Sequence, residues 1–477
     1  MRDSSIALNR FGLGARLDDD PVTDARHWLL DQLGKFDQHP AALRGLPGSD
    51  QLVMELGEIR DARRERKQER PAPETSAMGR DQNPQITLAP TRPPVAKIPG
   101  LYKPLRDQYV AAVGARTASA LASDTPFVER MVHFWANHFA VSIDKIAVVG
   151  LAGAFEFEAI RPHVLGKFGD LLAAVEHHPA MLLYLDQAQS IGPGSVVAQR
   201  AAARGRARGL NENLAREILE LHTLGVRSVY SQADVTEFAR SLTGWTVGGL
   251  GRQPFLTGSP GRFLFAEPLH EPGTRQILGQ RYGEGGEGQA QAILSDLAIH
   301  PATARHIATK LARHFAADEP PPALVARLEA AYLHSGGDLP VVYRALINAP
   351  EPWSGAAKFR TPWEWAIAAL RATGTSALPG ATVAGAFDQL GQAVWKPGSP
   401  AGFDDVAPSW AGPDALVRRV EVAQRIASHG TDIDARQLAA RLFPNALSEA
   451  TGTAIARAES PAQGLALLLS SPEMMRR

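Results

Sequence analysis

The sequence predicts an all-α protein, a multi-helix body carrying one small inserted β-hairpin. Three observations predict it. Alanine, leucine and arginine recur at helical spacing, start and stop signals bracket those runs, and strand-type alternation is confined to residues 262–283. At 477 residues, and at ~150 residues per domain, the chain has room for about three domains or one large elaborated body.

Residues 1–57 read as an N-terminal helical segment and residues 58–100 as a charged, then Pro-rich, linker or strap. The charged part, Ile59 to Arg70, suits a solvated helix face. Seven prolines follow between Pro71 and Pro99, with few apolar residues to offset chain entropy, so this stretch should be cut first by proteases. Residues 101–255 form a central helical core. In it, Thr125-Pro126 reads as an N-cap followed by proline at the first helical position, and Phe127, Met131, Phe134 and His138 share a face. Leu214, Ile218 and Leu221 repeat that spacing, and Ser231 to Asp234 resembles a capping box ahead of Val235, Phe238 and Leu242, with Gly244 as the stop. Residues 256–285 hold the hairpin: Phe263 and Phe265 alternate, residues 268–273 turn, and Ile277-Leu278 return the chain. Residues 286–355 and 356–477 are two helical units. Ala304 to Leu311 is echoed by Ala435 to Leu442, which makes the second unit a candidate repeat of the first.

Composition narrows the chemistry. Lys+Arg 50 against Asp+Glu 50 leaves no net charge, and so no bulk attraction toward nucleic acid or anionic lipid. Without cysteine there is no thiolate nucleophile, Fe–S cluster or Cys-ligated zinc. The first 20 residues lack a secretory apolar stretch and no apolar run approaches the ~20 residues of a bilayer span, so the chain reads as cytoplasmic, with export bound to a partner as the alternative. Gly-x-Ser-x-Gly, His-Glu-x-x-His and EF-hand patterns are absent.

Four segments concentrate polar residues. In Met131 to Phe139, His138 lies on the apolar stripe, as a core histidine bonded to a carbonyl or as a ligand or acid/base group. In Leu210 to His222, Asn213, Glu217 and Glu220 fall at i, i+4 and i+7, with Arg216 beside them and His222 at the stripe's edge. Two carboxylates one turn apart repel unless a cation or substrate answers them, although Arg216 at i, i+4 from Glu220 can be that answer. The third segment is the turn Leu269 to Arg275 with His270. The fourth is the loop Trp395 to Asp405 with Trp410, whose rings can stack a sugar or simply pack onto the core.

Ala7 to Gly14, Phe134 to Phe139, His178 to Asp186, Asn211 to Glu217, Asp234 to Arg240, Thr243-Gly244-Trp245 and His300 to Ala304 closely resemble the bacterial DUF1800 family, nearly end to end, and His270, Gly273 and Arg275 fit its hairpin. Glu271 stands where that family's hairpin usually has aspartate. The resemblance implies a mainly helical bacterial protein, often encoded beside a frequently exported family related to alkaline phosphatases, and hence a protein partner from it. It implies no established reaction.

The residues point to a hydrolase-like enzyme. Glu217, Glu220, His138 and His270 are the candidate catalytic groups; Asn213, Arg216, Asp186, Trp395 and Trp410 are the candidate substrate contacts. Paired carboxylates beside tryptophan loops make a glycan the expected substrate. A transition metal held by Glu217, Glu220, His138, His222 or His270 is less favoured than an arginine-paired carboxylate site, because Arg216 competes for the carboxylates. The alternative is a non-enzymatic binding or assembly factor for a secreted or envelope partner, anchored by its tryptophans.

Overall fold

The computed structural model describes residues 2–17, 19–20, 22–68, 100–205, 209–251, 253–354, 358–430, 432–443 and 447–477. The Pro-rich stretch and its expected cleavage lie outside them. Among the described residues, 22 α-helices surround two antiparallel strand pairs, so the expected mainly helical fold with a small β insertion holds. One contiguous core runs from Ala7 to Met475, and no described helix is long and apolar enough to cross a membrane. The helix Ser49–Gln68 runs through residue 58, where the linker was expected to open.

Local signals act where they were read. The helix Pro126–His138 begins with its proline, and Phe127, Met131, Phe134 and His138 are all buried. Ser231 and Asp234 form a reciprocal capping box for Gln232–Leu242. Two His-Pro-Ala stretches start helices as well: the Nδ1 atoms of His178 and His300 accept the amides of Ala180 and Ala302, each at 3.1 Å.

The hairpin differs from expectation in its pairing. Phe263–Phe265 pairs with Trp245–Val247, across the intervening loop, and Arg275–Ile277 pairs with Gln280–Tyr282 around Leu278-Gly279. The short return beyond Ile277 was hidden because Gln280 and Arg281 carry no apolar alternation. Leu278 and Gly279 take positive φ, 51° and 80°, as a tight two-residue turn requires.

The other departure is helical. Asn213–Glu217 is α, but Ile218–His222 widens into a π-turn. The added residue per turn slips the register, so Leu219 and His222 are fully buried while Leu221, expected on the stripe, is only partly so.

Chain ends meet across the core. Asn9 Oδ1 accepts from Arg360 at 2.6 Å, Arg10 donates to the Pro352 carbonyl at 2.7 Å, and the carbonyls of Gly12 and Gly14 accept from Arg130 and Arg371. Beneath this, Glu364 is held by Arg130 and by Arg477 at 3.0 Å, inside a helix, Pro362–Ala372, that is buried on every side. Arg130, Arg360, Arg371, Arg419 and Arg477 are all at most 5% exposed, and mostly satisfy backbone carbonyls. Buried guanidinium groups used as carbonyl clamps leave no periodic trace in a sequence.

Candidate functional site

A cleft of about 330 Å³, at the lower end of the ligand-pocket range, opens where the helices Pro126–His138, Pro301–Phe315 and Pro362–Ala372 meet the loop around Trp395 to Val406. The loop is pinned to the first of these helices. Asn137 donates to the Phe403 carbonyl at 2.8 Å and accepts the Phe403 amide at 2.7 Å. Gly402, at φ 82°, fits because a Cβ there would lie 2.2 Å from the Asn137 carbonyl oxygen.

The helix Pro301–Phe315 supplies the chemistry. Its residues Ala304, Ile307, Ala308, Leu311, Ala312 and Phe315 are buried, and its polar stripe of His306, Lys310, Arg313 and His314 lines the cleft. The Nε2–H of His306 donates to the Leu221 carbonyl at 3.0 Å, and that of His138 to the next carbonyl, His222, at 3.1 Å. A carbonyl only accepts, so the proton sits on Nε2 in both rings and each Nδ1 keeps its lone pair. Burial and then the charge of Lys310 hold His306 down at about 4 and His138 well below its ordinary range, so both rings are neutral at neutral pH. Burial likewise pushes the Lys310 ammonium down to about 8, with Asp405 pulling it back. His314 donates through Nδ1 to Asp405 at 2.7 Å; burial raises that carboxyl, and His314, Lys358 and Arg477 together outweigh the rise and hold it at about 2.

The sequence-derived candidates divide. His138 and Trp395 line this cleft. Trp410 does not: its indole donates to the Asp404 carbonyl at 2.7 Å and closes its own loop. His222 is buried beneath the cleft, donating through Nδ1 to Glu176 at 2.7 Å. Asp186 is a surface partner of Lys145 at 2.6 Å, and Asn213 is exposed. Arg216 spends its charge on Glu212 at 3.1 Å and Glu220 at 3.6 Å. Glu217 is half-buried with no hydrogen bond or ion pair among the described residues, and burial raises its pKa, but it borders no described cavity. His270 lies apart, its Nδ1 2.8 Å from the Thr243 carbonyl. The five residues named for a metal therefore do not converge, and among the described residues no three His, Asp or Glu side chains do.

Residues 6–476 match the family described as protein of unknown function (DUF1800). The chain belongs to the DUF1800 family. No curated protein and no solved structure matches it. In this DUF1800 chain, the His-Pro-Ala stretches start helices, while Ala7 to Gly14, through Leu13, and Phe134 to Phe139 contribute to core and cleft together.

Sequence reasoning missed Arg116, His306, Lys310, Arg313 and the His314–Asp405 pair. A signal existed: positions 306, 310, 313 and 314 at i, i+4, i+7 and i+8 form a polar stripe opposite an apolar one.

Two other polar groupings do not make a site. The Ser49 hydroxyl donates to Glu158 at 2.6 Å and lies 2.9 Å from His178 Nε2, but His178 Nδ1 already accepts the Ala180 amide. The imidazole therefore donates toward Ser49 and cannot take its proton. A larger hollow, about 490 Å³, has Arg60, Arg63, Arg64 and Tyr102 as its only ionisable lining groups among the described residues, and no acid/base pair among them.

Proposed function

We propose that the cleft between Trp363, Trp395 and the helix Pro301–Phe315 is the active site of a hydrolase-like enzyme. Lys310 is the amine that acts as base or electrostatic stabiliser, and His138, enclosed at the cleft wall with an unpaired Nδ1, is the proton acceptor that substrate entry would have to uncover. One observation carries the reading: a cleft of ligand size is lined by neutral imidazoles, His138 and His306, whose Nδ1 lone pairs accept no hydrogen bond among the described residues, and by a lysine that has no hydrogen bond or ion pair among them either.

The reaction centre thus moves from Glu217 and Glu220 to the cleft. The glycan reading loses its two supports. The paired carboxylates border no described cavity, Trp395 is buried with its indole N–H on Glu156 at 2.8 Å, and Trp410 is turned onto its own loop. A second reading, binding of a protein partner, draws on Val226 and Val229, which stay 58% and 60% exposed on the loop after His222.

The test is hydrolysis of a panel of p-nitrophenyl carboxylate esters, phosphate esters and glycosides by the wild-type protein, His138→Gln and Glu217→Gln. Turnover of a panel member that falls roughly 10²–10⁴-fold in His138→Gln, with folding retained and Glu217→Gln active, supports the cleft. Turnover lost in Glu217→Gln but kept in His138→Gln returns the chemistry to the earlier site, and turnover of nothing removes the enzyme reading.

A further inference from the structure

The charged groups lining the cleft are answered unequally. Both oxygens of Glu364 are taken, by Arg130, Arg477 and the Thr361 amide. Both oxygens of Asp405 are taken as well, by His314 at 2.7 Å and Lys358 at 3.3 Å, and Asp404 accepts the Ser409 hydroxyl at 2.8 Å. Of the lysine and arginines lining the cleft, Arg130 is engaged by Glu364, and the other three are in the opposite condition. Arg116 uses only Nε, toward Glu156 at 2.8 Å, and Arg313 uses only Nε, toward the Asp318 carbonyl at 3.2 Å. Their terminal nitrogens and the Lys310 amine have no hydrogen bond or ion pair among the described residues, yet none of these atoms is sealed from solvent. Arg116 is also held rigidly, its guanidinium lying over Trp363 at 4.0 Å and 5.5 Å from the Trp395 ring centre. A stacked guanidinium whose outer edge is free is pre-organised to meet a planar or tetrahedral anion.

We propose that the cleft takes an anionic ligand, a small molecule bearing a carboxylate or phosphate group, received by Lys310, Arg116 and Arg313. This rests on the cleft being the ligand site and adds the ligand's class. The tryptophans then act as platforms for arginine rather than for a sugar, which accounts for aromatic rings that line a cleft with their faces already covered. Donors preset in a partly dehydrated hollow select an anion over a neutral molecule, because burying unanswered cations is costly until a counter-charge arrives.

Calorimetric titration with inorganic phosphate, with oxalate and with the neutral disaccharide cellobiose tests this and separates phosphate from carboxylate. We expect saturable binding of at least one anion, no binding of cellobiose, and affinity at least tenfold weaker in both Lys310→Gln and Arg313→Gln, which alter partly exposed side chains. A readout needing no variant is acylation of wild-type Lys310 by acetic anhydride, mapped by peptide mass, which the bound anion should slow. Failure of both anions to bind, equal binding by the variants, or cellobiose binding that the same substitutions abolish overturns the inference. Anion binding without turnover of any ester leaves it standing and removes the enzyme reading; turnover without anion binding does the reverse.

Discussion

Two polar helix faces in this protein carry similar residues and come to different ends. The face of Asn213 to His222 holds two glutamates, an arginine and a histidine; the face of Pro301–Phe315 holds two histidines, a lysine and an arginine. On the first, Arg216 lies between Glu212 and Glu220 at the surface and the charges settle within the element. On the second the helix itself carries no acid, and the carboxylates beside it, Asp405, Glu364 and Asp318, are already engaged by His314, Lys358, Arg130 and Arg477. Residue type and spacing are thus poor guides to a site by themselves. What distinguishes the two faces is whether the charges find their answers inside the protein.

The largest effect should come from the floor of the cleft. Glu364→Gln leaves Arg130 and Arg477 buried without their counter-charge and should cost about 3–5 kcal/mol in urea unfolding. Glu220→Gln on the other face should cost less than ~1 kcal/mol. Equal costs would erase the contrast.

Lys310 sharpens it next. Folding lowers its pKa from 10.5 to about 8, so between those values the unfolded chain holds a proton that the native protein has released. Wild-type stability should therefore gain as pH rises through that window, relative to Lys310→Gln. At pH 7 the variant should be the more stable by about 1–2 kcal/mol, less than full conversion of the shift because the cleft is open to water. A flat difference between the two proteins from pH 7 to 10.5 contradicts the assignment.

Glu217 carries a smaller term of the other sign. Burial raises its pKa, so the native state keeps a proton that the unfolded chain gives up above about 4.5, and stability falls as pH climbs through that interval. Glu217→Gln should be neutral or slightly more stable at pH 7, as thermal or urea unfolding would show. Marked destabilisation would reveal a partner that the geometry lacks.

Arg216→Gln should do least, about 0.2–0.5 kcal/mol, an effect that vanishes in 1 M salt. A larger, salt-resistant loss would mean that this face, too, is functionally built.

The sequence by itself determined the helical fold class, the helix starts at Pro126 and Ser231, the burial of His138 and membership of the family. Each of these is written in local spacing, capping chemistry or contiguous motifs. It held the stripe of His306, Lys310, Arg313 and His314 as well, but without a sign of what that stripe would face. Tertiary structure decided the rest: the π-turn that carries His222 to Glu176, the pairing of Phe263–Phe265 with Trp245–Val247, and the choice of cleft. The reason is physical. A charge becomes functional or inert according to the groups that solvate it, and those arrive from far along the chain. Lys358 reaches Asp405 across 47 positions and Arg130 reaches Glu364 across 234. No local window contains both partners of either pair.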